Sequence, residues 1–168
     1  MPGETLVAPH VEVVHARHKD AEVVAPLFDL YRQFYGAESD ITAARAFLRH
    51  RLMRDESVVL VVRHATDIRT AIGFAQLYHS FSSLALMPTL VLNDLFVASD
   101  WRGRGVGKRL IEATVAFGIR AGASMIELST QHTNQRALAL YGSLGFVRDT
   151  EFAHLSLALP ASTRERND

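Results

Sequence analysis

The chain is 168 residues long, which suits one domain with a full-sized hydrophobic core rather than two domains. Its 18 basic and 18 acidic side chains cancel, and the basic residues form no run, which argues against nucleic acid as the main partner. The complete absence of cysteine excludes disulfides, thiolate metal sites and a cysteine nucleophile.

The first third of the chain carries one strand pattern and two helical patterns. Residues 10–15 alternate apolar and polar side chains, which predicts a strand. Apolar residues spaced three and four apart predict helices over residues 20–35 and 41–52. Gly36 is typical of a helix end, and Asp40 is a suitable cap for the second helix.

The middle of the chain is predicted to form three strands. The continuous β-branched run of residues 57–62 indicates a strand that is covered on both faces. Residues 70–79 form the next predicted strand, and residues 90–97 pair back on it as an antiparallel partner. Residues 80–88, which are rich in serine, are predicted as the loop between them.

The last third alternates helices and strands. Apolar residues at helical spacing predict a helix that begins at Val106, followed by a strand over residues 124–130. A short helix is expected over residues 134–144, and the alternation of residues 152–159 predicts a last strand. The charged residues 162–168 are expected to fray.

The order of these elements predicts a single α/β domain over residues 1–168, with an ordered core of about residues 11–159. Its sheet should be mixed, mostly antiparallel and flanked by helices. The first ten residues, MPGETLVAPH, lack a signal-peptide pattern, and no apolar run approaches membrane-spanning length. We therefore expect a cytoplasmic protein with no membrane partner.

A glycine-rich loop, residues 102–107, lies between a predicted strand and a predicted helix. Its three alternating glycines allow positive φ and a close approach of the backbone to a ligand. The helix that follows points its free N–H groups and positive dipole end at the loop, and Arg102, Arg104 and Lys108 add positive charge. The arrangement predicts a site for a phosphate or pyrophosphate group.

The spacing of the glycines excludes two common phosphate-binding loops. A Walker A loop needs glycine and Ser/Thr where this chain has Arg102 and Arg109. The dinucleotide fingerprint needs a third glycine where this chain has Lys108. Neither reading fits the residues.

The pattern Arg102-x-x-Gly105-x-Gly107 instead resembles the acyl-CoA loop of the GNAT superfamily of N-acyltransferases. A second segment, Asn134 followed by Ala137, Tyr141 and the pair Gly145-Phe146, matches the corresponding segment of that family. The resemblance extends from about residue 58 to residue 159. Two motifs at the expected separation, each on the expected element, are much more specific than either alone.

The resemblance implies acetyl-CoA as the acyl donor. It implies that backbone N–H groups of the glycine loop hold the pyrophosphate, and that the main chain of the strand before it pairs with the pantetheine arm. One N–H of that strand would face the thioester carbonyl, where negative charge develops. The implied CoA-binding set is Leu95, Phe96, Val97, Arg102, Gly103, Arg104, Gly105, Val106, Gly107, Lys108 and Asn134.

Two candidate catalytic residues follow from the resemblance and from the chemistry of amines. Tyr141 would protonate the departing thiolate. An ammonium of pKa ~10 cannot attack a thioester until it loses a proton, and Asp94 is a candidate base for this step. Asn93 stands where the polyamine branch carries glutamate, and Asp94 could equally face away from the site. Other carboxylates that could attract a cationic substrate, directly or through water, are Glu38, Asp40 and Glu127.

The expected function is direct transfer of an acetyl group to a primary amine of a small molecule. Residues 30–35 and 91–97 look most like the diamine/polyamine and histone acetyltransferase-like branch. The alternatives are acetylation of a protein lysine or N-terminus, and a sensor that holds acyl-CoA without turnover. No metal is expected. Phe81, Leu84 and the apolar last strand suggest a possible homodimer.

Overall fold

The computed structural model describes residues 11–160, which form five strands and four helices. The expected start of the first strand at residue 10 and the tail at 162–168 lie outside these residues. None of the helices in this range is long and apolar enough to cross a membrane. The elements are β1 (Val11–His15), α1 (Ala21–Phe34), α2 (Ile41–Met53), β2 (Ser57–His64), β3 (Asp67–Ser82), β4 (Met87–Val97), α3 (Val106–Arg120), β5 (Ile126–Leu128) and α4 (Gln135–Ser143).

The five strands form one sheet in the order β1-β2-β3-β4-β5. The pairs β1–β2, β2–β3 and β3–β4 are antiparallel, and the pair β4–β5 is parallel. This confirms the predicted mixed, mostly antiparallel sheet. Helices α1 and α2 cover one face and bury Val59, Val61 and Phe74. Helix α3 covers the other face and buries Leu60 and Leu77.

Strand β2 is an interior strand of the sheet and is covered on both faces, as its sequence predicts. The side chains from Val58 to Val62 are each at most 5% exposed, because alternate residues pack against α1 and α2 on one face and against α3 on the other. Burial on both faces leaves no position for a polar side chain in this run. The uninterrupted apolar run is the direct consequence.

The predicted loop over residues 80–88 is largely wrong. Strand β3 continues to Ser82 and β4 begins at Met87, and these two residues pair across the hairpin. The polar serines of β3 still pair with β4. Backbone hydrogen bonds extend this part of the hairpin, and they do not require alternating apolar side chains. Phe81 and Leu84 are 79% and 99% exposed.

The predicted last strand over residues 152–159 is also wrong. Within the described residues this segment forms no ladder, and its large apolar side chains, such as Leu155 at 94%, are exposed. The Asp149 carboxylate accepts the backbone N–H groups of Glu151 and Phe152 at 2.8 and 3.0 Å, which turns the chain just before the segment. An alternating sequence becomes a strand only where a partner edge satisfies its backbone groups.

Asp29 joins α1 to the segment that leads into α2. The residue is 1% exposed, and its carboxylate accepts hydrogen bonds from the Ser39 hydroxyl at 2.7 Å and the Asp40 backbone N–H at 2.8 Å. The side chains of Gln33 and Arg32 donate at 2.9 and 3.0 Å. The hydrogen bond from Ser39, followed by that from the Asp40 backbone, lowers the pKa of Asp29 below its usual value.

Asp29→Asn is therefore expected to destabilise the protein by about 2 kcal/mol near pH 7, because the charged acceptor of four hydrogen bonds is lost. A lowered carboxyl pKa stabilises the folded state above the ordinary value of 3.8, and this contribution is lost as pH falls through the folded pKa. Urea unfolding at several pH values should show the deficit shrinking at acid pH. A deficit independent of pH would contradict this account of Asp29.

Candidate active site

A β-bulge in β4 sets which side chains face each side of the sheet. Leu92 pairs with Leu77 and Asp94 pairs with Gln76, so Asn93 is the extra residue between the two pairs. Leu92 and Leu95 consequently both pack on the α3 side, although they are three positions apart in the sequence. The bulge thereby places Asp94 on the opposite face, which is covered by α1 and α2. Strict alternation along β4 would have put Asp94 against α3.

The bulge also marks the point where β4 and β5 separate. Pairing with β5 covers only Leu90 to Leu92, and no described strand flanks residues 95–97 on that side. An open cleft of about 410 Å³ lies between this free edge, the glycine loop, α1 and α4. Ten of the eleven predicted CoA-binding residues line the cleft, and Arg104 is the exception. Their contact with acetyl-CoA remains a prediction.

The glycine loop presents the start of α3 to the cleft. Gly103 and Gly105 both have φ of +79°, a conformation that strains any residue with a Cβ. The first bond within the helix runs from the Arg109 N–H to the Gly105 carbonyl at 3.0 Å, and none of the described side chains caps the helix at Gly105. A Cβ at Gly105 would meet nothing within 4 Å. Free N–H groups beside open space suit an anionic group.

Arg136 is a cleft cation that the sequence analysis missed. It lies in the first turn of α4 and lines the cleft, with a guanidinium nitrogen 3.7 Å from where a Cβ on Gly103 would lie. Lys108 also lines the cleft and is half-exposed, 3.8 Å from Glu112. The sequence did offer one indication that Arg136 could reach the cleft: it lies two residues after the predicted contact residue Asn134. Both cations favour binding of a phosphate at this end.

The guanidinium groups of Arg102 and Arg104 do not lie at the anion-binding end of the cleft, where the sequence predicts their charge. The Arg102 Nε donates to the Val97 carbonyl at 2.9 Å, and its guanidinium lies 5.2 Å from the centre of the Phe96 ring. The Arg104 guanidinium lies over the Trp101 ring at 5.4 Å and does not line the cleft. Neither side chain adds its charge directly to the anion-binding end in this conformation.

Asn134 caps α4, its Oδ1 accepting the Ala137 backbone N–H at 3.2 Å, and also lines the cleft. Helices α3 and α4 approach closely at Gly107, where an added Cβ would lie 3.2 Å from Leu140. This close approach positions the turn of α4 that carries Tyr141.

Tyr141 is 9% exposed and packs against Phe146 with ring centres 5.7 Å apart. It lies in the core beneath α3 and is not among the residues that line the cleft. Burial, with a smaller contribution from Tyr35, raises the pKa of Tyr141 to about 12. Its hydroxyl therefore stays protonated throughout the neutral range and can act as a donor.

Asp94 is 5% exposed and does not line the cleft. Its carboxylate accepts a hydrogen bond from the Asn93 amide at 2.9 Å. Burial raises the pKa of Asp94, and hydrogen bonds from Tyr31 and Asn93 oppose that rise. The other candidate carboxylates do not line the cleft either: Glu38, Asp40 and Glu127.

Aromatic side chains of α1 and β4 form one end of the cleft. Tyr31, Phe34, Tyr35 and Phe96 all line it, and Tyr31 stacks edge-on against Tyr35 at 5.2 Å between ring centres. Phe34 and Phe96 lie 6.2 Å apart, with the Arg102 guanidinium over both rings. We call these four residues the aromatic wall. Tyr31 and Phe34 fall in the apolar spacing that predicts the helix over residues 20–35, which gives no sign that they face a cleft.

Comparison with known proteins agrees with this geometry. A model of the acetyltransferase (GNAT) family matches residues 24–146. The uncharacterized N-acetyltransferase YhfO of Bacillus subtilis (strain 168) is 40% identical over 151 residues, covering 90% of this chain and 99% of that protein. Thialysine N-epsilon-acetyltransferase of Bos taurus is 30% identical over 74 residues, covering 44% of this chain and 43% of that protein.

A crystal structure of a probable acetyltransferase has the same fold, with a TM-score of 0.84 and 36% identity over 90% of this chain and 99% of that one. The family match covers most of the chain and includes both motifs that carry the resemblance. YhfO aligns over nearly its whole length. The chain therefore belongs to the GNAT family of acetyltransferases and is an acyltransferase whose acyl donor is acetyl-CoA.

Proposed function

We propose that the protein transfers the acetyl group of acetyl-CoA directly to a primary amine of a small molecule, with diamines and polyamines as the predicted class. The observation that carries this proposal is one continuous cleft, which joins the anion-binding glycine loop to the aromatic wall along the free edge of β4. The chain has no cysteine that could carry an acetyl group between two half-reactions. We also propose the cytoplasm as its compartment, as the sequence predicts.

The donor end of the cleft supplies the groups that acetyl-CoA needs. Free N–H groups at the start of α3, together with Lys108 and Arg136, would hold the pyrophosphate. The edge of residues 95–97 that faces away from β3 would pair with the pantetheine arm. When bound, acetyl-CoA supplies an activated thioester carbonyl. Tyr141 would then protonate the leaving thiolate, and Asp94 would receive the proton that the amine must lose.

The acceptor end favours a small amine. Aromatic faces attract an ammonium group through cation–π interactions, and an apolar chain between two ammonium groups can pack on the same rings. The bovine relative bears a name that gives thialysine as its substrate and the Nε amine as the acetylated atom. Acetylation of a protein lysine or N-terminus is the alternative, since a lysine side chain offers the same chain and amine.

A panel of acceptors tests the proposal. Release of the CoA thiol from acetyl-CoA should rise well above buffer with diamines, polyamines or other small primary amines, and kcat/KM should be lower with lysine-containing or N-terminal peptides. Peptides that outperform every small amine would instead support protein acetylation. Acetyl-CoA binding without thiol release from any acceptor would support the sensor alternative.

A homodimer is the proposed assembly. Phe81 and Leu84 on the β3–β4 hairpin, and Leu155 and Leu157 near the carboxyl end, are each at least 79% exposed. Burial of such side chains between two copies would remove apolar surface from water. Sedimentation equilibrium at micromolar concentration should give the mass of two chains. The mass of a single chain would contradict the proposal.

A further inference from the structure

The buried position of Asp94 leaves a gap in the path of the proton. The carboxylate is 5% exposed and does not line the cleft in which the acceptor amine would bind. A general base must reach the proton it removes directly or through one intervening group. A side chain that touches both the cleft and Asp94 would close this gap.

Tyr31 on α1 occupies this intermediate position. Its ring packs edge-on against Phe74 at 5.8 Å and Phe96 at 6.0 Å, which are cross-strand partners on β3 and β4. Gln76 and Asp94 are the next partner pair on the same face of these strands, one pair beyond Ala75 and Leu95. The Tyr31 side chain also lines the cleft, and its hydrogen bonding to Asp94 lowers the pKa of that carboxyl against the effect of burial.

We propose that Tyr31 is a catalytic residue that relays the proton of the acceptor ammonium from the cleft to Asp94. This inference rests on the proposed function, because it concerns how the acceptor becomes a nucleophile. The Tyr31 ring packs against β3 and β4 beside Asp94, and the same side chain lines the cleft.

The relay balances the protons of the reaction. The ammonium gives one proton to the Tyr31 oxygen as the Tyr31 proton moves to Asp94, which leaves a neutral amine and a protonated carboxyl. The amine nitrogen then forms a bond to the thioester carbon, and the carbon–sulfur bond breaks. The sulfur takes a proton from Tyr141, the second proton lost by nitrogen restores Tyr141, and the proton on Asp94 passes to solvent.

The buried groups around Asp94 suit a site that alternates between charged and neutral states. A protonated Asp94 needs an acceptor for its O–H, and its cross-strand neighbour Gln76 is 0% exposed with an Oε1 that has no partner in the described part of the chain. Burial raises the pKa of Asp94 and brings it closer to that of an amine. Burial also raises the pKa of Tyr31, so its hydroxyl passes protons on without ionising.

The titratable groups that face this centre come from four elements besides its own strand. Tyr31 and Tyr35 lie on α1, and Tyr141 on α4. Tyr78 of β3 lies near Asp94 and accepts a hydrogen bond from Gln76 at 3.1 Å. Arg51 of α2 acts on Tyr78 and lowers its pKa against the effect of burial. Among these groups Tyr31 and Tyr35 line the cleft.

A pH profile of kcat/KM for an active amine tests the relay. Tyr31→Phe keeps the ring and should lose roughly 100-fold at pH 7, the size of a lost acid–base group. The loss should shrink as pH approaches ~10.4, the pKa of a typical alkylamine, because free amine then forms without help. Asp94→Asn should show the same profile, and the double variant should be no slower than the slower single variant, since both residues serve one proton path.

Thr114→Val is the control for loss of a buried hydroxyl, because Thr114 is 0% exposed, lies on α3 and does not line the cleft. It should keep kcat/KM within a few-fold of the parent. A Tyr31→Phe variant with parental kcat/KM at pH 7 overturns the relay, and so does a loss that is the same at every pH. A double variant whose loss equals the product of the two single losses also overturns it.

A titration without turnover gives an independent readout. Carbon NMR of the Asp94 carboxyl should show a higher pKa in Tyr31→Phe, because the hydroxyl hydrogen bond that lowers this pKa is removed. An unchanged Asp94 pKa overturns the contact on which the relay depends. A parent that acetylates no amine overturns the proposed function and the relay with it. An active parent with an indifferent Tyr31→Phe variant overturns the relay alone.

Discussion

Tyr141→Phe is expected to lose roughly 10²- to 10⁴-fold in kcat where chemistry limits turnover, which is the usual contribution of general acid catalysis. The hydroxyl would act only as the carbon–sulfur bond breaks, so KM for acetyl-CoA should stay within a few-fold. The buried ring and its packing on Phe146 are retained, so stability should change little. Single-turnover rates with saturating acetyl-CoA and amine measure the chemical step.

The pH dependence of the parent gives a check on the same role. Burial places the pKa of Tyr141 at about 12, so its donor form persists above the ordinary tyrosine value of 10.0. Ionisation of Tyr141 should therefore not lower kcat between pH 8 and roughly pH 10. A near-parental single-turnover rate in Tyr141→Phe would contradict the assignment and would mean that water or another residue supplies the proton.

Gly105→Glu is expected to abolish the rise in melting temperature that acetyl-CoA produces in the parent. Acetyl-CoA stabilises the protein by binding its folded state, so loss of the shift reports loss of binding. The substitution places a carboxylate beside the free N–H groups that would bind the pyrophosphate. It also strains the backbone, because φ of +79° costs a residue with a Cβ about 1–2 kcal/mol. Thermal melts with and without acetyl-CoA measure the effect.

Gly122→Glu is the matched control for backbone strain. Gly122 follows the carboxyl end of the same helix, has φ of +69°, and likewise has nothing within 4 Å of an added Cβ. This variant should lose a similar amount of stability and keep the full response to acetyl-CoA. The loop assignment is wrong if Gly105→Glu folds and responds as the parent does.

Local patterns predicted most of the fold, because most elements are specified by their own residues. Helices α1 and α2 end within one residue of the prediction, since the apolar stripe, Gly36 and the Asp40 cap are all local signals. Strand β5 covers only Ile126–Leu128 of the predicted residues 124–130, and the predicted last strand is absent from the structure over residues 152–159. One error concerns the length of a strand and the other whether a strand forms at all. Both depend on pairing with a segment that is distant in the sequence.

The donor end of the site was predictable for the same reason. The glycine loop is one contiguous segment whose φ angles, helix start and spacing can be inferred from consecutive residues. The acceptor end was not, because Tyr31 and Phe34 have the spacing of a core stripe whether they face a core or a cleft. The orientation of Asp94 depends on the bulge at Asn93, and the alternation of β4 gives no sign of it.

The central claim, direct transfer of acetyl from acetyl-CoA to an amine, is tested most directly by a rapid-quench single turnover. Acetyl-CoA labelled in its acetyl group would be mixed with excess enzyme and an active amine, and products and protein would be analysed by mass spectrometry. Acetylated amine and free CoA should appear together at one rate, with no label on the protein. Label on the protein before it reaches the amine, or CoA released without acetylated amine, would contradict the account.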